Sequence, residues 1–356
     1  MAQASRIGTS DEITAVWLGE VLGTDVREVE VTQIGAGVGI ASLLYRVTPT
    51  YGGEPTEGPA SVIVKLPTLD EGTRAVVGVF DFYQKECRFY REMAAATPVA
   101  TPAMHHVDVD LETGDFVIVM EDLTDVRLVD QLEGCTLAEA RSAVETLARI
   151  HATWWDGGPI ESIDWLPRPL DPPYPQALQG QVAASWPNVM AEHRDLVEPD
   201  IERLGEQMPE ILPDLMDRLS QPPTTLVHGD YRLDNLMFAA DGVEPMTVID
   251  WQICLRGKPA YDLGYFMSQS LDPVMRAAHE RELLDLYLTV LGASGVTDYD
   301  ADRLWDDYRL GILYCFAYPA SGAAVELVND RAVALFRSLL ERSSKAILEL
   351  DALSIM

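Results

Sequence analysis

The sequence predicts an α+β protein: a small N-terminal lobe with an antiparallel sheet, then a larger, mainly helical C-terminal lobe. Three observations carry this. Up to residue 120 the apolar residues fall largely in strand-length runs, broken by Gly- and Pro-rich turns. The fully apolar run 116–120 then gives way at once to Glu121-Asp122. That change from buried to polar divides the chain into lobes at 1–121 and 122–356. Beyond it, apolar residues recur mostly at helical spacing, interrupted by one hairpin at 226–252.

Within the first lobe, residues 11–22 read as a helix with Ile13, Val16, Trp17 and Val21 facing inward, Thr9 and Glu12 as a capping box and Gly23 as its stop. Residues 26–47 read as two strands around a glycine loop holding Gly35, Gly37, Gly39 and Ser42. Glycines let a backbone approach a phosphate closely and turn N–H groups toward it. Residues 61–66 read as a strand in which Lys65 closes an apolar run, where a charge is costly without a partner. Residues 79–95 read as one helix with Glu86 among Phe82, Tyr83, Phe89 and Tyr90. A carboxylate there needs a cation, and Lys65 is the natural one; Glu92, beside Arg91, is the competitor. Residues 103–109 and 116–120 read as strands joined by a turn.

In the second lobe, Thr136 and Glu139 cap a helix through Trp155, with His151 on its apolar face as a structural residue. The Pro- and Trp-rich stretch 156–223 becomes helical from about residue 191. Its Trp165, Tyr174 and Trp186, with the preceding Trp155, read either as an acceptor wall or as packing. In the hairpin, His228-Gly229-Asp230 enters the first strand, Asn235 follows, and Asp250 leaves the second. A hairpin returns its ends to one place, so Asp230, Asn235 and Asp250 should converge. Two carboxylates and a carboxamide are hard oxygen ligands suited to Mg²⁺ on phosphates. The last stretch, 272–356, reads as amphipathic helices.

The strings HGDYRLDNLMF, VIDWQ and DLGYFM resemble the catalytic and metal loops of the aminoglycoside phosphotransferase and choline kinase superfamily, whose fold is protein-kinase-like. They resemble most its ecdysteroid-kinase-like branch. The resemblance implies that Asp230 is the base and that Asn235 and Asp250 hold Mg²⁺. It implies that the glycine loop covers the phosphates of ATP and that Lys65, oriented by Glu86, contacts them. It implies that Met120, Glu121 and Leu123 line the nucleotide base, which sits in the cleft between lobes. His228 is expected to orient the loop, and Arg232 to contact phosphate or acceptor. Only a short stretch separates Asp250 from Asp262, leaving no room for a peptide-docking activation segment, so the acceptor should be a small-molecule hydroxyl. Asp262, opening a helix, reads as structural.

Composition narrows the partners. With 57 acidic against 26 basic residues the net charge is −31, which disfavours nucleic acid and anionic membranes. Four scattered cysteines, no CxxC, no leading apolar run and no membrane-length segment point to a reduced, cytoplasmic protein. Two rival readings remain open. A metal-dependent hydrolase would use His228, Asp230 and Asp250 without Lys65 or Glu86. A non-catalytic nucleotide-binding protein would keep the fold, but such proteins tend to lose metal or base residues.

Overall fold

The computed structural model describes residues 5–35, 41–52, 58–322 and 330–356. The chain divides into two compact units. The first comprises residues 1–96, 101–125 and 250–253; the second comprises 97–100, 126–249 and 254–356.

The first unit is built on five antiparallel strands: β1 (Val26–Ile34), β2 (Ser42–Tyr51), β3 (Val62–Pro67), β4 (Met104–Val109) and β5 (Phe116–Glu121), in the order β1-β2-β3-β5-β4. Alternation along β3 sends Val62, Val64 and Leu66 into a core with Tyr45, Val47, Val117, Val119, Trp17 and Leu18. Lys65 therefore falls on the opposite face, in register with Leu44 and Ile118. Helix α1 (Ala15–Leu22) covers the core face. It begins later than the capping box suggested: Thr9 and Glu12 cap a single 3-10 turn, Thr14 accepts the Trp17 N–H to start the helix, and Gly23 ends it at φ 69°. Val16 consequently points outward and is 73% exposed, not inward.

The 79–95 stretch is not one helix. Helix α2 (Glu71–Val79) precedes it, capped by Asp70 on the Thr73 N–H. The chain breaks at Asp81, whose φ of 54° no ordinary helical residue adopts, and restarts as α3 (Phe82–Arg88), running into a π turn over Phe89–Met93.

The second unit holds β6 (Val126–Leu128), α4 (Leu137–Thr153), α5 (Tyr174–His193), α6 (Pro199–Ser220), β7 (Thr225–Val227), β8 (Leu236–Ala239), β9 (Thr247–Val248) and β10 (Leu255–Gly257). It continues with α7 (Ala260–Gln269), α8 (Pro273–Ala293), α9 (Ala301–Cys315), α10 (Ala317–Ser321) and α11 (Asp330–Glu349). The hairpin is present as β8 against β9, with Leu236 opposite Val248, and β6 lies on its other edge. Helix α4 packs on α8, α5 on α6 and α7 on α9. Helix α5 went unread in the sequence because Pro175, Gly180 and Pro187 interrupt its pattern. The α5–α6 contact is close: a Cβ on Gly205 would lie 2.0 Å from the Trp186 ring. Trp186 is thus buried as packing, and Trp155 packs against Tyr299 at 5.4 Å between ring centroids. Among the described residues no helix is long and apolar enough to cross a membrane.

Candidate active site

Each unit carries a cluster of polar groups, and the two clusters hold most of the residues singled out by the sequence. In the first unit, Lys65 Nζ lies 2.8 Å from Oε1 and 2.7 Å from Oε2 of Glu86, and 3.2 Å from Oδ1 of Asp250. The ion pair expected from a charge in β3 and a carboxylate among aromatic rings is therefore formed. Glu92 instead pairs with Arg88. Lys65 and Glu86 are 5% and 1% exposed, so each needs the other. Burial alone would lower Lys65, but Asp250 and Glu86 outweigh it and hold the ammonium above the ordinary lysine range. Burial, opposed by Lys65, pushes the Glu86 carboxyl upward.

Asp250 sits at φ 65°, one of three non-glycine residues at positive φ among those described. That conformation costs of order 1–3 kcal/mol and tends to persist where function requires it. Neighbouring groups hold Asp250 in place: Gln252 donates to Oδ2 at 3.3 Å, and Trp251 stacks on Phe89 at 3.8 Å and 8°. The pairing of Phe89 with Trp251 links α3, which carries Glu86, to the segment that carries Asp250.

In the second unit the loop after β7 is held from below. The Asp262 carboxylate, fully buried, accepts the N–H groups of His228 at 2.7 Å and Gly229 at 2.9 Å. Gly229 turns at φ 85°, a conformation suited to glycine. Asp262 is thus the structural brace read from the sequence, and His151 lies 3.3 Å behind it. His228 Nε2 lies 3.0 Å from the Ile249 carbonyl, while its Nδ1 accepts the Asp230 N–H at 3.2 Å. The pair of contacts fixes the neutral tautomer protonated on Nε2 and makes His228 a loop-orienting residue.

Asp230 Oδ2 accepts from Asn235 Nδ2 at 2.8 Å, and Oδ1 accepts from the Tyr265 hydroxyl at 2.9 Å. Arg232 Nε stands 3.2 Å from Oδ1, and its Nη1 reaches Asp234 at 3.2 Å. Burial pushes the Asp230 carboxyl up, but the Arg232 charge, with hydrogen bonds from Tyr265 and Asn235, holds it below the ordinary carboxylate range. It is an anion with a fixed rotamer. Asn235 spends its amide hydrogens on the Asp230 carbonyl, at 2.9 Å, and on its carboxylate. The orientation leaves the Asn235 carbonyl oxygen as the end that can ligate. The Ile249 N–H donates to the Asn235 backbone carbonyl at 3.1 Å, and Asp250 is the next residue along the chain.

The other residues singled out by the sequence lie along the first unit. Gly35 follows β1 at φ 65°, and Ser42 opens β2 opposite Pro67. Gly37 and Gly39 lie outside the described residues. Met120 and Glu121 end β5, with Met120 opposite Ile63 and Glu121 opposite Val62, and Leu123 follows in irregular backbone. Tyr265 is the site residue the sequence did not disclose. A tyrosine on an apolar helix face reads as packing, and the only hint was its position three residues after Asp262.

The first unit thus carries a buried Lys–Glu pair beside its antiparallel sheet, and the second a braced Asp–Asn loop among its helices. A model of the phosphotransferase enzyme family matches residues 56–305. The chain belongs to that family. Among solved structures, a candidate aminoglycoside phosphotransferase from Ralstonia eutropha aligns at a TM-score of 0.58 and 17% identity, covering 95% of this chain and 97% of that one. Aminoglycoside 2'-phosphotransferase-IIIa in its GDP complex aligns at 0.52 and 15% identity, covering 90% and 93%. These likenesses show the fold. Among curated proteins, mouse acyl-CoA dehydrogenase family member 10 is 29% identical over 44% of this chain, and chicken family member 11 is 27% identical over 48%. The matched stretches make up only 13% and 21% of those two proteins.

Proposed function

We propose that this protein transfers the γ-phosphoryl group of ATP, with Mg²⁺, to a hydroxyl of a small molecule. The observation that carries the proposal is Lys65 held between two carboxylates, one of them on a strained backbone. A purely structural pair needs Lys65 and Glu86 only. A second carboxylate, on Asp250 at positive φ, is more than that pair requires and would be available to hold a metal ion. Related structures described as GDP and ADP complexes support nucleotide use by this fold.

In this reading Asp230 accepts the acceptor hydroxyl's proton, and its fixed anionic form suits that role. Asn235, through its carbonyl oxygen, and Asp250, through its carboxylate, are the metal ligands. Two oxygens from the protein fit an ion that keeps waters and binds phosphates, as Mg²⁺ does. When bound, Mg²⁺ neutralises charge developing on the phosphates. Lys65, steadied by Glu86, adds positive charge there, and Arg232 stands beside the base. Residues 1–121 then serve as the nucleotide-binding lobe and 122–356 as the catalytic and acceptor-binding lobe, in the cytoplasm. We assign the acceptor to neutral or apolar alcohols, the direction in which the resemblance of HGDYRLDNLMF and DLGYFM to the ecdysteroid-kinase-like branch points. The metal-hydrolase reading gives the Lys65–Glu86 pair no task.

The test is ATP-dependent phosphorylation across a panel of steroid-like alcohols, macrolides, aminoglycosides, choline and serine peptides. Label on a small alcohol supports the proposal, and label on peptides alone overturns the acceptor class.

A further inference from the structure

We infer that Tyr265 is a positioning residue for Asp230: its hydroxyl anchors Oδ1 while Asn235 anchors Oδ2, fixing the carboxylate plane that meets the acceptor. The inference rests on the reading of Asp230 as the base. Tyr261 and Tyr265 stand four residues apart on α7 and share a face. Tyr314 on α9 and Tyr318 on α10 stand against them, with ring centroids 5.0 Å apart for Tyr261–Tyr314 and 5.1 Å for Tyr265–Tyr318. The Tyr261 and Tyr318 hydroxyls bond each other.

Two glycines fix where this row points. A Cβ on Gly264 would lie 2.5 Å from the Gly311 carbonyl carbon, and one on Gly311 would lie 2.0 Å from the Ala260 carbonyl oxygen. The α7 and α9 backbones touch at this crossing, and Tyr265 is the next residue after Gly264. Packing alone asks for a ring here, which phenylalanine would supply. It does not account for a hydroxyl spent on Asp230 at 2.9 Å. Burial, with the Asp230 charge second, holds that hydroxyl well above the ordinary tyrosine range, so it stays a donor. The groups around Asp230 are His228, Arg232, Asp234 and Asn235 from its own loop and Tyr265 from α7, with Cys315 and Tyr318 behind Tyr265.

Tyr265→Phe keeps the ring and removes the anchor; Tyr265→Met serves if the first variant does not fold. With aspartate labelled by ¹³C at the carboxyl, the resonance absent from Asp230→Asn identifies Asp230. At one fixed neutral pH that resonance should move in Tyr265→Phe, which loses the hydrogen bond at Oδ1, and stay in place in Tyr261→Phe, a hydroxyl lost from the same helix face. In turnover with Mg·ATP and an acceptor from the panel, kcat should fall about tenfold in Tyr265→Phe. KM for Mg·ATP should change by less than about twofold. An unmoved resonance, or an equal movement in Tyr261→Phe, overturns the inference. Wild-type turnover in Asp230→Asn overturns the base reading instead, and the resonance still decides the anchor.

Discussion

Replacing Glu86 by Gln removes one charge from the buried cluster at almost constant shape. Lys65 keeps Asp250 at 3.2 Å, but that carboxylate is 27% exposed on its side chain and offers one oxygen where Glu86 offered two at 2.7–2.8 Å. Breaking a buried pair outright costs about 3–5 kcal/mol. The Gln oxygen still accepts one hydrogen bond, worth about 1 kcal/mol, and Asp250 keeps part of the Coulomb energy. A loss of about 1–3 kcal/mol is therefore expected, seen as a melting temperature lower by about 2–6 °C at roughly 2 °C per kcal/mol. Circular-dichroism melts of wild type, Glu86→Gln, Lys65→Met and the double variant close a cycle, and the coupling should be about 1–3 kcal/mol. The sign of its pH dependence follows from the raised Glu86 carboxyl. The folded state holds that proton at higher pH than the unfolded chain, so wild type loses stability relative to Glu86→Gln as pH rises from the ordinary carboxylate range through the raised one. Additive single-variant effects, with coupling near zero, would refute the reasoning.

Asp250→Ala should weaken Mg·ATP binding by about 100-fold or more in calorimetry, since it removes a proposed metal ligand; equal affinities would remove Asp250 from the metal set. Gly311→Ala forces a Cβ to within 2.0 Å of backbone that has no flexible end to yield, so it should cost about 2–3 kcal/mol in a denaturant melt. A neutral Gly311→Ala would show that the α7–α9 crossing is looser than described.

The grouping of polar residues in this candidate site was legible because they fall at short spacing along the chain. His228, Asp230 and Asn235 lie within one loop, and Asp250 follows the hairpin that loop opens. Lys65 and Glu86 were legible for the opposite reason: each is a charge placed where only apolar neighbours occur. What escaped depends on long-range contact. Tyr265 meets Asp230 from 35 residues away, and nothing local marks its hydroxyl as engaged. The break at Asp81 is a backbone choice that an unbroken aromatic pattern conceals. The true start of α1 turned on Thr14 against Thr9, two equally good caps close together in the chain. Helix α5 forms despite its prolines because tertiary contact between Trp186 and Gly205 outweighs weak local propensity.

The central claim is that Asp230 is the base of a phosphoryl transfer to a small hydroxyl. The most direct measurement compares wild type with Asp230→Asn, using ATP, Mg²⁺ and whichever panel alcohol the wild type phosphorylates. The substitution keeps shape and removes the proton acceptor, so turnover should fall by about 10²–10⁴ while Mg·ATP affinity stays within a few-fold. Undiminished turnover in Asp230→Asn would contradict the account.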